Sequence, residues 1–207
     1  MQTPESVKGW KMEGPGTVEF KDGWMHMFSR KEKMHHVYWS PKTFPSKFIA
    51  EWDAQNLETD AGLCIVFFAA KGEMGQDIFD PVLSKRNGGI KQYTGGEIIN
   101  YHISYYTNTV KKPDRGYANL RKNNKFILVQ KGDEGIPTYS KDIHKIRLIK
   151  DDSHIVMFVD DRKIIDWTDD GKTHGPVYTT GKIGFRQMKW THFRYRNFKV
   201  WDIQTSM

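Results

Sequence analysis

Residues 146–167, IRLIKDDSHIVMFVDDRKIIDW, decide the predicted fold. Three runs rich in β-branched and aromatic residues (146–150, 155–159 and 163–167) are separated by Asp-rich segments at 151–153 and 160–161. Short Asp-containing connections between such runs are typical of β-hairpins. The stretch therefore predicts three consecutive antiparallel strands with no helix between them.

The same pattern continues outward along the chain. Pro and Gly residues separate the runs, and only residues 74–86 suggest a short helix or helical turn. About ten or more short strands, without a linker or an internal repeat, predict one all-β domain over residues 1–207, built as a sandwich or barrel. The further predicted strands are residues 37–39, 48–52, 63–68, 98–106, 118–122, 125–130, 182–187 and 194–201.

The charge balance favours an anionic partner. The chain of 207 residues has 32 Lys and Arg against 25 Asp and Glu, a net charge of +7. The densest basic segment, residues 30–33, is interrupted by Glu32, and no zinc finger, basic helix or RNA-recognition signature occurs. No apolar run approaches the ~20 residues of a membrane span. We therefore expect neither nucleic acid nor a membrane as the partner.

Aromatic residues favour a sugar instead. They make up 14% of the chain, with 7 Trp, and their faces can stack on sugar rings while Arg and Lys receive the carboxylates of acidic sugars. The single Cys64 excludes an internal disulfide and a Cys-based zinc cage, and no spacing of His residues fits a metal site. We expect an acidic oligosaccharide as the partner, and no metal or other cofactor.

A polar strand face is the first candidate site. With the side chains of residues 98–106 alternating, Asn100, His102, Ser104 and Tyr106 share one face, which is too polar for a sandwich interior. Such a row predicts the floor of a groove with groups for acid–base chemistry. The alternative is that these side chains only bind neighbouring strands. A register error of one residue would bring Tyr105 to this face in place of Tyr106.

Other residues are candidates for holding a sugar carboxylate. Asn119 and Arg121 share a face of the strand at 118–122, where Arg121 is either a carboxylate clamp or a solvated edge residue. Arg186 or Gln187, depending on register, can take the same role. Trp39 is either a sugar platform or a core residue, and Lys85 and Arg86 lie in an irregular segment of the kind that often carries sites.

Several blocks spread over the chain resemble one bacterial family, the domain-of-unknown-function family 1961. The order of the last strands also resembles the end of concanavalin A-like jelly rolls. The resemblance implies a concanavalin A-like lectin/glucanase jelly-roll β-sandwich with a role in breaking down acidic plant or algal polysaccharides such as pectin or ulvan. It favours the bacterial periplasm over the cytoplasm. The blocks are residues 10–14, 38–45, 62–70, 79–81, 85–86, 102–105, 119–122, 148–151, 167–171 and 181–188.

The resemblance also implies a class of chemistry. Some jelly-roll enzymes of neighbouring families are polysaccharide lyases that use His and Tyr, and an oligosaccharide dehydratase of ulvan breakdown is similar in context. The Glu-x-Asp-x-x-Glu pattern of retaining glycosidases on this fold is absent, which counts against hydrolysis. Our first hypothesis is β-elimination on a uronic acid, with His102 as base and Tyr105 or Tyr106 as acid.

Two alternatives stay open at this point. One is a carbohydrate-binding module without chemistry, which would use the same aromatic and basic residues. The other is a glycoside hydrolase with unusual carboxylates, such as Asp77 or Asp80. The sequence leaves the oligomeric state, the sugar and the linkage open.

Overall fold

Two seven-stranded antiparallel sheets form the protein in a computed structural model, which describes residues 7–29, 35–58, 62–109 and 115–203. Sheet A has the strand order β1-β4-β13-β6-β7-β8-β9, and sheet B has the order β12-β11-β10-β5-β14-β3-β2. The strands are β1 Lys11–Glu13, β2 Thr17–Lys21, β3 Trp24–Phe28, β4 His36–Trp39, β5 Lys47–Asn56, β6 Gly62–Gly72, β7 Ile98–Asn108, β8 Tyr117–Asn123, β9 Ile127–Glu134, β10 Ile143–Asp151, β11 His154–Val159, β12 Arg162–Thr168, β13 Lys182–Gln187 and β14 Phe193–Asp202. The predicted all-β jelly-roll sandwich is confirmed.

The stretch that decided the prediction forms strands β10, β11 and β12 at one edge of sheet B. Asp151 pairs with His154 across the first turn, and the second turn joins Val159 to Arg162. Asp152 and Asp160 adopt φ values of 51° and 55°. Asp tolerates this left-handed region better than most residues, which explains the Asp-rich turns.

The space between the sheets is filled with aromatic rings. Phe185 stacks on Tyr195 with ring centroids 4.9 Å apart, and Trp52 contacts Phe185 at 5.2 Å. Trp10 and Phe198 complete this centre, and all five residues are buried. Much of the high aromatic content therefore packs the core.

A second apolar cluster lies on the outer face of sheet A. Trp39 of β4 and Phe67 of β6 pack there under Ile78 and Tyr93, which belong to the segment between β6 and β7. This covering segment, residues 73–97, shields the β4 and β6 side of the outer face. Strands β7 and β8 carry polar side chains on the same face.

Some predictions about local structure need correction. Residues 74–86 form turns, and the short helix α1 lies later, at Lys91–Thr94. The three strands β1–β3 were not predicted, because their runs are short and mix charged with apolar residues. The basic segment 30–33 lies outside the described residues. None of the described helices is long and apolar enough to span a membrane.

Candidate functional site

Two neighbouring rows of side chains cross the outer face of sheet A, in the order set by the strand register. One row runs from Arg186 over Ile65 to Ser104 and Asn119, and the next row runs from Phe67 to His102 and Arg121. Adjacent strands lie ~4.8 Å apart, so the long Arg186 side chain can reach toward the polar residues of β7. Arg115, just before β8, donates from Nη2 to Ser104 Oγ at 3.1 Å.

We call this group the basic cluster. It contains three guanidinium groups, one imidazole and two short polar side chains, carried by β13, β7, β8 and the residue pair before β8. Its members are Arg115, Arg121, Arg186, His102, Ser104 and Asn119.

The predicted polar row is correct only in part. Asn100, His102 and Ser104 lie on the outer face: Asn100 and Ser104 bond partners there, and the His102 ring packs on Phe67 of the outer cluster at 5.5 Å. The prediction that Tyr106 shares this face is wrong. The register shifts between Cys64 and Ile65, whose partners on β7 are Tyr106 and Ser104, so Tyr105 is the extra residue of a β-bulge.

The bulge turns both tyrosine rings into the sandwich interior. Tyr105 packs on Trp52 at 6.0 Å, and Tyr106 packs on Phe193 at 5.1 Å. Burial raises the pKa of both phenols. Neither hydroxyl therefore lies beside His102, and neither residue enters the mechanism proposed below.

A chain of hydrogen bonds sets the orientation of His102. Asn100 Nδ2 donates to the carbonyl oxygen of Tyr93 at 2.8 Å, so its Oδ1 must accept. Asn123 Nδ2 donates to that Oδ1 at 2.7 Å and lies 2.8 Å from His102 Nδ1. Because an amide nitrogen only donates, Nδ1 accepts this bond and the ring proton is on Nε2. The chain thus selects one tautomer of His102.

The protonation state of His102 follows from its surroundings. Burial lowers the pKa of His102 well below its usual value, and the charges of Arg186, Arg121 and Arg115 lower it further. The ring is therefore neutral at neutral pH. With Nδ1 occupied by Asn123, the group that His102 can offer to a ligand is the Nε2–H donor.

Arg186 has an unusual environment for a buried charge. The residue is 3% exposed, and burial lowers the pKa of its guanidinium to about 10. In the part of the chain that the structure describes, Arg186 forms no ion pair and its Nε has no hydrogen-bond partner. Arg115 Nε and Asn119 Oδ1 are also buried without a partner there. Buried polar groups without a partner are rare in folded proteins, and three within one cluster fit a ligand site.

Arg121 is partly committed within the protein. Its Nη1 donates to the carbonyl oxygen of Phe126 at 2.8 Å, and the guanidinium lies 3.9 Å from the centroid of the Phe126 ring. Burial lowers the pKa of Arg121, and the charge of Arg115 adds to this effect. Arg121 thus contributes positive charge to the basic cluster, with one of its donors already in use.

Three other predicted site residues have structural partners. Trp39 is fully buried, stacks on Phe67 at 5.5 Å and donates to Glu13 at 3.0 Å, so it is not a sugar platform. Arg86 forms an ion pair with Glu13 at 2.6 Å. Gln187 points into the sandwich, where its Nε2 donates to Tyr195 at 2.9 Å. Of the alternatives Arg186 and Gln187, the register puts Arg186 on the outer face.

Lys85 is exposed on the covering segment, beside the half-buried Arg86. No three His, Cys, Asp or Glu side chains of the described ranges come together in a way that could hold a metal ion.

Comparison with known proteins places the chain in a family. The family model called domain of unknown function (DUF1961) matches residues 1–200. The chain belongs to the DUF1961 family. It is 39% identical over 204 residues to the uncharacterized protein YesU of Bacillus subtilis (strain 168), a match that covers 97% of this chain and 92% of YesU.

Solved structures agree with this fold. A Bacillus subtilis protein of unknown function with a galectin-like fold has a TM-score of 0.90 at 38% identity, covering 97% of the DUF1961 chain and 92% of that chain. The carbohydrate-binding module CBM66 of Bacillus subtilis has a TM-score of 0.60 at 13% identity, covering 93% and 94%. The second likeness shows the fold alone. The DUF1961 chain therefore has a jelly-roll fold that carbohydrate-binding proteins also use.

Four residues at this site of the DUF1961 chain were not predicted from the sequence. Asn123 continues the alternation of Asn119 and Arg121, so extending the predicted strand by one residue would have found it. Arg115 precedes the strand and Phe126 lies in a turn. Side chains do not alternate between two faces there, so the sequence does not predict where these two residues point. Tyr117 lies at the start of β8, with its ring 5.3 Å from the Arg115 guanidinium and 4.2 Å from Lys131 Nζ.

Proposed function

We propose that the protein acts on uronic-acid-containing oligosaccharides, binding a sugar carboxylate at the basic cluster and eliminating the substituent at C4. The observation that carries this proposal is the buried guanidinium of Arg186, which forms no ion pair within the described residues. A buried positive charge without a protein carboxylate is costly, and an anionic ligand would compensate it. The net charge of +7 and the carbohydrate-binding relatives of the fold agree with an acidic sugar as that ligand.

Binding the carboxylate is itself part of the chemistry. In β-elimination a base removes the C5 proton, and the electron pair is delocalised into the adjacent carboxylate as an enolate. The C4–O bond then breaks, the C4=C5 double bond forms, and the departing oxygen takes up a proton. Arg186 would neutralise the carboxylate and Asn119 would donate a hydrogen bond to it, and both would thus stabilise the enolate as it develops. The leaving group is another sugar in a lyase and water in a dehydratase.

The hydrogen-bond chain through Asn123 changes the role that we assign to His102. A base needs a free lone pair, and the lone pair of this tautomer already accepts from Asn123. We therefore assign His102 as the Nε2–H donor to the substrate. Tyr117, on the same face of β8 as Asn119, is the candidate base, since tyrosine is one of the side chains that serve as general bases.

Binding without chemistry is the second candidate function, and the same tautomer favours it. A neutral imidazole that only donates, beside guanidinium groups, can recognise an acidic sugar without removing a proton. Hydrolysis has less support. Asp77 pairs with Lys182 at 2.8 Å, and Asp80 accepts from the backbone of Val82, so both carboxylates are engaged within or at the covering segment.

Ultraviolet absorbance of the conjugated double bond tests the proposal. The purified protein is incubated with polymers and oligosaccharides of pectin, alginate, glucuronan and ulvan. We expect an absorbance rise that is lost in Arg186→Met and in Tyr117→Phe. Arg147→Met is the matched control, because Arg147 lies on sheet B with Glu51 as its surface partner.

Each other result has a definite meaning. Loss in His102→Ala with full activity in Tyr117→Phe would return the role of base to His102. Binding of an acidic glycan that is recovered intact would support the second candidate. New reducing ends without ultraviolet absorbance would indicate hydrolysis. A protein that binds and alters no acidic glycan contradicts the proposal.

A further inference from the structure

Phe126 has a backbone conformation that is rare for its type. It lies in the turn between β8 and β9, directly before Ile127, with a φ of 55°. A left-handed φ is uncommon outside Gly and Asn, and for a bulky residue it is a genuine outlier. Hairpin turns of this length usually place Gly at the left-handed position. The chain has Asn124 within the same connection, yet the strained position holds a phenylalanine.

The strain is not offset by deep burial of the ring. Phe126 remains 46% exposed, so its removal from water stabilises the fold little. A strained residue that contributes little packing is typical of functional sites, where the surrounding structure holds it in place.

The ring lies against the basic cluster. The Arg121 guanidinium is 3.9 Å from the ring centroid, and its Nη1 donates to the carbonyl oxygen of Phe126 itself. The ring of His102 is 5.9 Å away, at an interplanar angle of 41°. Arg121 therefore fixes both the turn and the ring of Phe126, while nearly half of the residue stays open to solvent.

We propose that Phe126 is the aromatic platform on which a pyranose ring stacks at this site. The apolar C–H face of a sugar ring fits the negative π face of the phenyl ring, and its hydroxyl groups can then reach the Nε2–H of His102. Trp39, the platform that the sequence suggested, is buried under the covering segment and has no open face. The position of the ligand rests on the proposed function, but stacking requires a sugar ring and not a carboxylate.

A competing explanation is that the ring only supports His102 and Arg121 by packing. The two explanations predict opposite effects on stability. If the ring is a strained platform, Phe126→Gly removes the strain and the melting temperature stays equal or rises. If the ring is a packing element, the same substitution lowers the melting temperature.

The test combines melting temperature with glycan affinity. Phe126→Gly should lower the affinity for the bound glycan by up to about tenfold, the loss expected for an aromatic contact of up to about 1.4 kcal/mol. Phe126→Trp keeps an aromatic face and should retain the affinity. Asp22→Gly is the matched control for backbone strain: Asp22 has a φ of 51° in an exposed turn of sheet B, so this variant should keep wild-type affinity.

The panel pairs each acidic oligosaccharide with its neutral counterpart, so that this proposal and the proposed function can fail separately. Acidic glycans bound equally by wild type and Phe126→Gly would overturn the platform and leave the proposed function in place. Neutral glycans bound in preference, with the loss in Phe126→Gly, would support the platform and contradict the proposed function. A protein that binds no glycan of the panel, or a lower melting temperature in Phe126→Gly, overturns the platform.

Discussion

Two arginines on the outer face of sheet A have opposite surroundings. Arg86, on the covered side, bonds Glu13 through both Nε and Nη2, and Tyr93 and Trp39 donate to the same carboxylate. Arg186, toward the open side, is more deeply buried but forms no ion pair within the described residues. The same type of side chain at the same face of the sheet is thus paired with a carboxylate in one place and without an ion pair in the other.

The difference shows how a structural arginine can be told from one that is kept for a ligand. A buried charge needs a partner, and Arg86 has a complete set within the protein. Arg186 forms no ion pair within the described residues, and its charge acts on His102 together with those of Arg121 and Arg115. A site with this pattern stores an unfavourable electrostatic energy that an anionic ligand can release. Whether the guanidinium has a carboxylate partner, more than its burial, distinguishes a structural arginine from one that is kept for a ligand.

The largest expected effect is on stability and comes from replacing Arg86, the arginine that is paired with a carboxylate. Arg86→Met leaves Glu13 buried without its cation and should lower the free energy of unfolding by about 3–5 kcal/mol. Arg186→Met removes an unpaired charge and should leave the stability unchanged or higher. Denaturant unfolding of both variants measures this difference.

A double variant provides the control for this prediction. Arg86→Met combined with Glu13→Gln removes both charges and should recover part of the lost stability. If Arg186→Met destabilises the protein as much as Arg86→Met does, Arg186 has a structural role and the distinction between the two arginines is wrong.

Sequence reasoning found the fold because hairpin turns and alternating runs are local signals. It also found the outer face of β7, since Asn100, His102 and Ser104 obey the alternation. It missed the bulge at Tyr105, because one extra residue in a strand leaves no mark in the pattern of residue types. Trp39 was ambiguous for another reason: whether an outward-facing ring is exposed depends on a segment that returns from elsewhere in the chain.

The second largest expected effect is a pH dependence of the stability, which arises from the buried His102 beside the three arginines of the basic cluster. The pKa of His102 is depressed in the folded protein, so the unfolded chain binds its proton first as pH falls. The stability linked to His102 is complete above the unfolded value of 6.5 and is lost as pH falls below it. At about pH 5 this loss amounts to at most about 2 kcal/mol, from ~1.4 kcal/mol per unit of pH.

Unfolding between pH 8 and pH 5 (a range that spans the ~6.5 of an ordinary histidine) checks this expectation in wild type and His102→Gln. The variant should lose less stability on acidification, by at most about 2 kcal/mol. The variant keeps His36, whose pKa burial lowers to about 4. Its stability should therefore still fall on acidification, but less than that of wild type. Equal pH profiles for the two proteins would mean that His102 is not held in its neutral form by the cluster.

The smallest expected effect tests the tautomer of His102, on which its assignment as donor depends. Asn123→Asp replaces the amide donor by a carboxylate, which can only accept, so the ring proton should move from Nε2 to Nδ1 and the pKa of His102 should rise. Nitrogen-15 correlation spectra of the imidazole distinguish the two tautomers. The added negative charge should weaken binding of an acidic glycan by only about 1 kcal/mol.

Asn119→Asp is the matched control, because it adds the same charge to the cluster without replacing the partner of His102 Nδ1. It should leave the proton on Nε2. A wild-type ring already protonated at Nδ1 would free the Nε2 lone pair and make His102 the base after all. A switch seen in Asn123→Asp alone would mean that the chain from the Tyr93 carbonyl through Asn100 and Asn123 selects the donor form. The basic cluster would then have the hydrogen-bond donors for binding an anion in place before any proton is transferred.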